Sequence, residues 1–569
     1  MQPAGDPARV TLREILLLAG GSYLLACVVF WPLPLHLASV FPRDLGDPIV
    51  QSWQVAWGGH ALLHQPFEFF QSNQFWPLKD TLAFSDALIG YAPAGMIGRG
   101  VEAATVRYNL LFLFAYALAF AGAYLLAREF RLRPAAAAVA GAAYAYAPWR
   151  LEQDGHLHVL SSGGIPLTLF LLARGYRTGS VRMVLFGWVV AAWQVSIGFT
   201  LGLQLGYLLA FLGACLVVWV WRGGAQRRPP RRIVLATIGG GLILLVSAVL
   251  LSLPYQRVLD AHPEAGRSLE RVSRGSGPIA SFIAAPENSR VWGAATDSIR
   301  HGHLTSIAEQ TLFPGLVIAL LVVAGLAAPV LSRRTRWMLG GGAAVLMLLS
   351  LGVRSGGIGQ YMPYRLLYEF APGWQGVRTP GRLYTLTSLI FALLAAAGAQ
   401  ALLGWLARRS EPLRRPAGAL ALGGALVALI AFEFSGEVFP KSPSGPAGYV
   451  AIAEPQLHLP ITIAANRRYV YWSTDGFPKI VNGRASIDPT SFTQLTAEVS
   501  GFPDRESIAA LRRLEVSTVV LHPYLLIGTR WAGAAEKPIS GLGVSRRVQG
   551  DLVVYELAPA TGEVRAVRD

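Results

Sequence analysis

The 569-residue chain (61.1 kDa) is 53% hydrophobic and only 14% charged, with a mean hydropathy of +0.43. Soluble proteins are roughly 25% charged, so a soluble globular enzyme and an intrinsically disordered chain are both excluded. The 49 basic residues exceed the 33 acidic ones by 49 − 33 = 16. Nearly all the basic residues are Arg and most lie beside apolar runs, which argues against a nucleic-acid partner. Cys27 and Cys215 both fall in apolar segments, so a disulfide framework and a metal-thiolate site are excluded.

The first apolar stretch, Ile15 to Leu35, follows an arm bearing Arg9 and Arg13 and has no small-residue cleavage site, so it reads as a retained first span. Further spans are predicted at 108–127, 134–148, 159–173, 183–198, 201–221, 233–253, 312–331, 337–352, 383–406 and 417–435, eleven in all. Every second connection carries an Arg cluster: Arg128/Arg131/Arg133, Arg174/Arg177/Arg182, Arg222/Arg227/Arg228/Arg231/Arg232, Arg333/Arg334/Arg336 and Arg408/Arg409/Arg414/Arg415. Cytoplasmic connections are enriched in Lys and Arg, so the amino terminus and these connections are expected in the cytoplasm and the tail outside it. The sequence thus divides into a polytopic helical membrane domain, 1–436, and a small extracytoplasmic α/β domain, 437–569.

The outer connections 36–106, 254–311 and 353–381 are long and polar, and long ordered loops are where chemistry usually sits. The first interleaves Trp53, Trp57, Phe67, Phe69, Phe70, Phe75 and Trp76 with acids and Pro, as expected of amphipathic segments lying beside lipid. In the tail, strands are predicted at Gln456–Ile461, Arg468–Ser473, Thr518–His522 and Leu552–Leu557 around a helix, Asp504 to Leu514.

Three constellations could carry chemistry. Asp44-Leu45-Gly46-Asp47-Pro48 places two acids in a turn just after the first span. One carboxylate could be a general base or metal ligand, and the same residues could equally form an Asx turn or a helix cap. The segment Trp149 to His158 offers Gln153, His156 and His158, which read as a substrate or metal cluster or as loop hydrogen bonding at the headgroups. The third group is cationic on the side that should be depleted: Arg257, Arg267, Arg271, Arg274, Arg290, Arg300, Arg354, Arg365, Arg378 and Arg382. Arg grips phosphate bidentately, so Arg378 and Arg382, flanking a Pro-Gly turn at the mouth of a span, are the candidate lipid-phosphate ligands; headgroup snorkelling or pairing with Glu369 is the other reading. His301-Gly302-His303 reads as solvated loop, and the Gly runs 239–241 and 340–342 as helix packing without a nucleotide loop.

A first span followed by Asp44-Leu45-Gly46-Asp47 in a long outer loop, with Asn73-Gln74-Phe75-Trp76-Pro77 and Leu82-Ala83-Phe84-Ser85-Asp86, resembles the bacterial GT-C glycosyltransferases. Ala147-Pro148-Trp149-Arg150 with Gln153 and His156, Glu309 before Leu312-Phe313-Pro314-Gly315, Arg378-Thr379-Pro380-Gly381-Arg382 and Asn482-Gly483 extend the resemblance over most of the chain. It implies an inner-membrane enzyme of the cell envelope that moves a hexosyl or pentosyl group from a polyprenyl-phosphate sugar to a glycan, lipid or protein hydroxyl with inversion. It also implies an acid of the first outer loop, Asp47 before Asp44, as base, and a divalent cation (Mg or Mn) held by Asp47 and His156. Asp86, Gln153, His156, His158 and Glu309 become the further substrate or metal candidates, and one outward-facing pocket is expected to unite the acids with the His and Arg groups. A transporter or lipid flippase and a non-catalytic assembly protein are the rival classes.

Overall fold

The computed structural model describes residues 10–224, 228–354, 361–447, 449 and 452–558; Arg9, Arg227 and part of the outer segment 353–381 lie outside them. Contacts divide the chain into two units, the first comprising Met1–His36, Leu110–Leu251 and Arg267–Phe439 and the second Leu37–Asn109, Ser252–Gly266 and Pro440–Asp569. The first outer segment and the start of the second, up to Gly266, belong with the tail to the second unit, and the remainder of the second lies in the first unit.

Among the described residues seven helices are long and apolar enough to cross a membrane: Leu12–Val29, Gly100–Glu129, Leu157–Thr178, Phe199–Gly223, Arg231–Ala261, Pro380–Arg409 and Pro416–Phe434. They coincide with seven of the eleven predicted spans. The other four predicted spans are occupied by Pro134–Ala145, Val181–Ile197, Leu316–Ala327 and Arg333–Ser350, of 12, 17, 12 and 18 residues. At 1.5 Å per residue a 12-residue helix covers about 18 Å, less than the roughly 30 Å of hydrocarbon. The first helix ends at Val29, short of the predicted Leu35, because Pro32 and Pro34 withhold the amide donors that would continue it.

Within the first unit the Arg clusters gather at one end of the helices. Arg128, closing Gly100–Glu129, donates to Glu14 at the start of Leu12–Val29 (2.8 Å), and Arg174 and Arg177 pair with Glu129 at 3.3 and 2.5 Å. Gln400, late in Tyr384–Arg409, accepts from the Arg133 amide at 2.7 Å. The alternation read from sequence is therefore a spatial clustering. At the other end, buried Glu433 accepts from the amides of Leu316 (2.9 Å) and Val317 (3.0 Å) and from Trp292 Nε1 (3.0 Å). This carboxylate caps the helix Leu316–Ala327, satisfying donors that a helix start in an apolar setting would otherwise leave bare.

In the second unit the tail builds a four-stranded sheet from β1 (Gln456–Leu459), β2 (Thr518–Leu521), β3 (Val544–Gln549) and β4 (Leu552–Leu557), in the order β1-β2-β4-β3. β1 and β2 are parallel, whereas β4 runs antiparallel to both β2 and β3. The strand expected at Arg468–Ser473 is instead the end of a helix, Ile463–Trp472, whose Thr462 side chain accepts from the Ala465 amide at 3.1 Å. Its β-branched and aromatic residues suggested a strand, but the cap and the burial of Ala465, Asn466, Tyr469, Val470, Tyr471 and Trp472 fix the helix. Asn482 stitches this helix to β1, donating to Asn466 Oδ1 (3.0 Å) and the His458 carbonyl (2.9 Å) and accepting from the His458 amide (2.6 Å).

Two histidines lie in that core without exposure, His458 on β1 and His522 after β2, their Nδ1 and Nε2 atoms 3.0 Å apart. Gln456 Nε2 donates to the Ile452 carbonyl, so Gln456 Oε1 must accept from His458 Nε2 (3.0 Å), leaving His458 Nδ1 to accept from His522 Nε2. Burial pushes His458 down to about 3; burial and the neighbouring His458 push His522 well below the ordinary value. Both rings are neutral when folded and bind a proton when unfolded below about pH 6.5, so their stability contribution is complete above that pH and lost beneath it. Between pH 7 and 5 the second unit is expected to lose about 2 kcal/mol per ring, read by hydrogen exchange of β1 and β2 amides in the intact protein. Protection unchanged over that interval would contradict the neutral pair.

Candidate functional site

In the second unit Asp47 opens the helix Asp47–His64, with Pro48 in its first turn. Asp44 Oδ1 accepts from the Gly46 amide at 2.7 Å, an Asx turn that delivers the chain into this helix. A Cβ at Gly46 would stand 2.7 Å from that oxygen, so a larger residue there would push the Asp44 side chain aside. The Asp47 side chain is 44% exposed, and its Oδ1 lies 3.7 Å from Arg467 Nη2 of the helix Ile463–Trp472. Arg467 escaped the sequence reading because nothing distinguishes it from the adjoining Arg468. Asp86 lies farther along the loop, half-buried, its carbonyl accepting from Gln54 Nε2 at 2.9 Å.

In the first unit the segment for which both readings stood open is buried within the protein: Trp149, Arg150, Glu152, Gln153 and Asp154 are all inside. Trp149 Nε1 donates to Ser388 Oγ at 3.0 Å. Arg150 donates to Ser162 Oγ (3.1 Å) and the Leu160 carbonyl (2.9 Å), its guanidinium 5.3 Å from the ring centre of Tyr116, and Tyr116 donates to Asp154. This framework fixes the loop that carries the histidines.

There five of the candidates meet: Gln153, His156, His158, Glu309 and Arg382. Arg382 grips Glu309 with two donors, Nη2 to Oε1 at 2.7 Å and Nε to Oε2 at 3.2 Å, and its Nη1 donates to His158 Nε2 at 3.1 Å. Arg382, Glu309 and His158 are only 7%, 8% and 9% exposed. A guanidinium only donates, so His158 Nε2 accepts and its ring proton sits on Nδ1. Gln153 Nε2 donates to the Ala308 carbonyl at 2.8 Å, which turns Oε1 to accept from His156 Nδ1 at 3.1 Å. The rings of His156 and His158 meet edge-on with centroids 5.8 Å apart. A Cβ at Gly381 would stand 2.5 Å from the Glu309 carbonyl, so the Pro-Gly turn is what lets the two loops close on each other.

Burial works to raise the Glu309 carboxyl, but Arg382, His156 and Arg378 together hold it down at about 2. Glu309 is thus a permanent charge and not a proton carrier, and it neutralises Arg382. Arg378 is exposed. Glu369, the alternative partner for these arginines, pairs with Arg365 at 2.5 Å. Among the described residues no three His, Cys, Asp or Glu side chains group as a metal site.

No family model and no curated protein matches the chain. Among solved structures, the arabinofuranosyltransferase AftD from Mycobacteria aligns over 98% of this chain and 43% of its own, with a TM-score of 0.51 and 16% identity. The chain has the GT-C fold. The Archaeoglobus fulgidus oligosaccharyltransferase aligns over 98% of this chain and 76% of its own (TM-score 0.46, 14% identity). ArnT from Cupriavidus metallidurans, solved with undecaprenyl phosphate, aligns over 96% and 98% (TM-score 0.40, 14% identity).

Proposed function

We propose that the protein is an inverting glycosyltransferase of a bacterial inner membrane, taking a pentosyl or hexosyl group from a polyprenyl-phosphate sugar. The GT-C fold shared with an enzyme named as an arabinofuranosyltransferase is the observation that carries this reading. Asp47 takes the proton of the acceptor hydroxyl, the freed oxygen attacks the anomeric carbon from the face opposite the phosphate, and the C–O bond to phosphate breaks with its electron pair leaving on the lipid phosphate. Arg378, exposed at the mouth of its span, is assigned to lipid phosphate; Arg382, already neutralised by Glu309 and tied to His158, contributes mainly by holding the loop. A single displacement inverts the anomeric centre. No step is assigned to a cation. A glycan, lipid or protein supplies the hydroxyl, and the donor arrives from the surrounding lipid.

The Arg-rich end of the helices is assigned to the cytoplasm, so catalysis lies outside it. Right-side-out vesicles bearing the protein are expected to convert an added labelled polyprenyl-phosphate sugar and acceptor to glycoside, and sealed inverted vesicles to do so only once permeabilised. Conversion by sealed inverted vesicles alone would reverse the orientation; conversion by neither preparation, even after permeabilisation, would remove the enzyme class.

A further inference from the structure

The contact between Asp47 and Arg467 is a poor stabilising ion pair. It is 3.7 Å long and the side chains are 44% and 25% exposed. Exposed pairs of this kind contribute little to folding. Arg467 also buries its Nε without a hydrogen-bond partner among the described residues, an arrangement that costs stability. The guanidinium is nevertheless built into place. Its helix is capped by Thr462, its neighbour Asn466 is bonded to Asn482, and Val470 of the same helix packs with Trp53 and Trp57 of the helix that Asp47 opens. The guanidinium lies beside the turn that precedes Asp47, 3.6 Å from where a Cβ on Gly46 would stand, an ordinary contact distance. Two helices over 400 residues apart in sequence are thereby locked so that one cation faces one carboxylate.

We propose that Arg467 is a positioning residue that aims the Asp47 carboxylate, so that the carboxy-terminal tail completes the first-loop site. This rests on the reading of Asp47 as the group that acts on the acceptor hydroxyl. Of the staggered rotamers of Asp47, those facing Arg467 keep this charge pair. Holding one of them lowers the cost of presenting the carboxylate to the hydroxyl. The role acts through Asp47 and requires no contact between Arg467 and substrate.

The test is a double-mutant cycle on the full-length protein in liposomes, with a labelled polyprenyl-phosphate sugar as the probe. Arg467→Ala is expected to lower kcat roughly 10- to 100-fold with the donor KM within twofold and thermal unfolding nearly unchanged. Arg467→Lys should keep part of the rate, and millimolar guanidinium should restore part of it to Arg467→Ala. In an Asp47→Asn background, Arg467→Ala should cost nothing further. Full additivity in that background, or a rise in donor KM with kcat intact, would overturn the positioning role while leaving the enzyme class standing. Asp47→Asn at the wild-type rate would overturn the role and the reading beneath it. If Arg467→Ala fails to fold, Arg467→Gln, which keeps much of the stem and removes the charge, should reproduce the kcat loss; a normal kcat for a folded Arg467→Gln protein would count against the proposal.

Discussion

Asp47→Asn is expected to lower turnover by roughly 10²- to 10⁴-fold, the contribution of a positioned general base, with the donor KM little changed. The substitution is nearly isosteric at a side chain 44% exposed to solvent, so packing cannot account for such a loss. Asp44→Asn should cost less. Its side-chain oxygen closes the turn on the Gly46 amide, and the Asn carbonyl can accept the same hydrogen bond. Rates of both variants in the transfer assay check the asymmetry: a near-normal Asp47→Asn removes the base assignment, and a larger defect at Asp44 reverses the two roles.

Arg382→Met should act on stability first. It strands Glu309, 8% exposed and held as a carboxylate, without its bidentate partner. Breaking a buried ion pair from one side costs about 3–5 kcal/mol, while replacing both members by apolar residues of similar volume is often close to neutral. Thermal or denaturant unfolding in detergent should therefore show Arg382→Met as severely destabilised and the double variant Glu309→Leu/Arg382→Met as substantially recovered. Arg378→Gln, at an exposed position, should leave unfolding unchanged and raise the donor KM roughly 10-fold or more through the lost charge-assisted contact. The opposite pattern, a stable Arg382→Met with weak donor binding, would return the phosphate to Arg382.

The membrane architecture was legible because its signals are local. Apolar runs and alternating Arg clusters mark the helices and their shared end, and Arg128–Glu14 and Arg174–Glu129 give that alternation physical form. What failed depended on partners distant in sequence. The run Arg468–Ser473 has strand composition, and only the Thr462 cap and two-sided burial make it helical. β3 was missed because Val544–Gln549 is an exposed outer strand whose Arg546 and Arg547 interrupt any apolar pattern. In the site, Gln153, His156, His158, Glu309 and Arg382 were each singled out from short motifs, but Arg382 and Arg378 looked alike in sequence and differ only in burial and in the carboxylate that reaches one of them. Arg467 carried no signal, since its partner lies 420 residues earlier.

The central claim is donor cleavage, and the most direct measurement supplies the purified protein in liposomes with a labelled polyprenyl-phosphate sugar and a soluble acceptor, following both products. The account predicts free polyprenyl phosphate released in equal amount with a glycoside of inverted anomeric configuration, and almost none of either from Asp47→Asn. A labelled lipid that crosses the bilayer with its sugar–phosphate bond intact, at the same rate in both proteins, would contradict it and identify a carrier in place of a transferase.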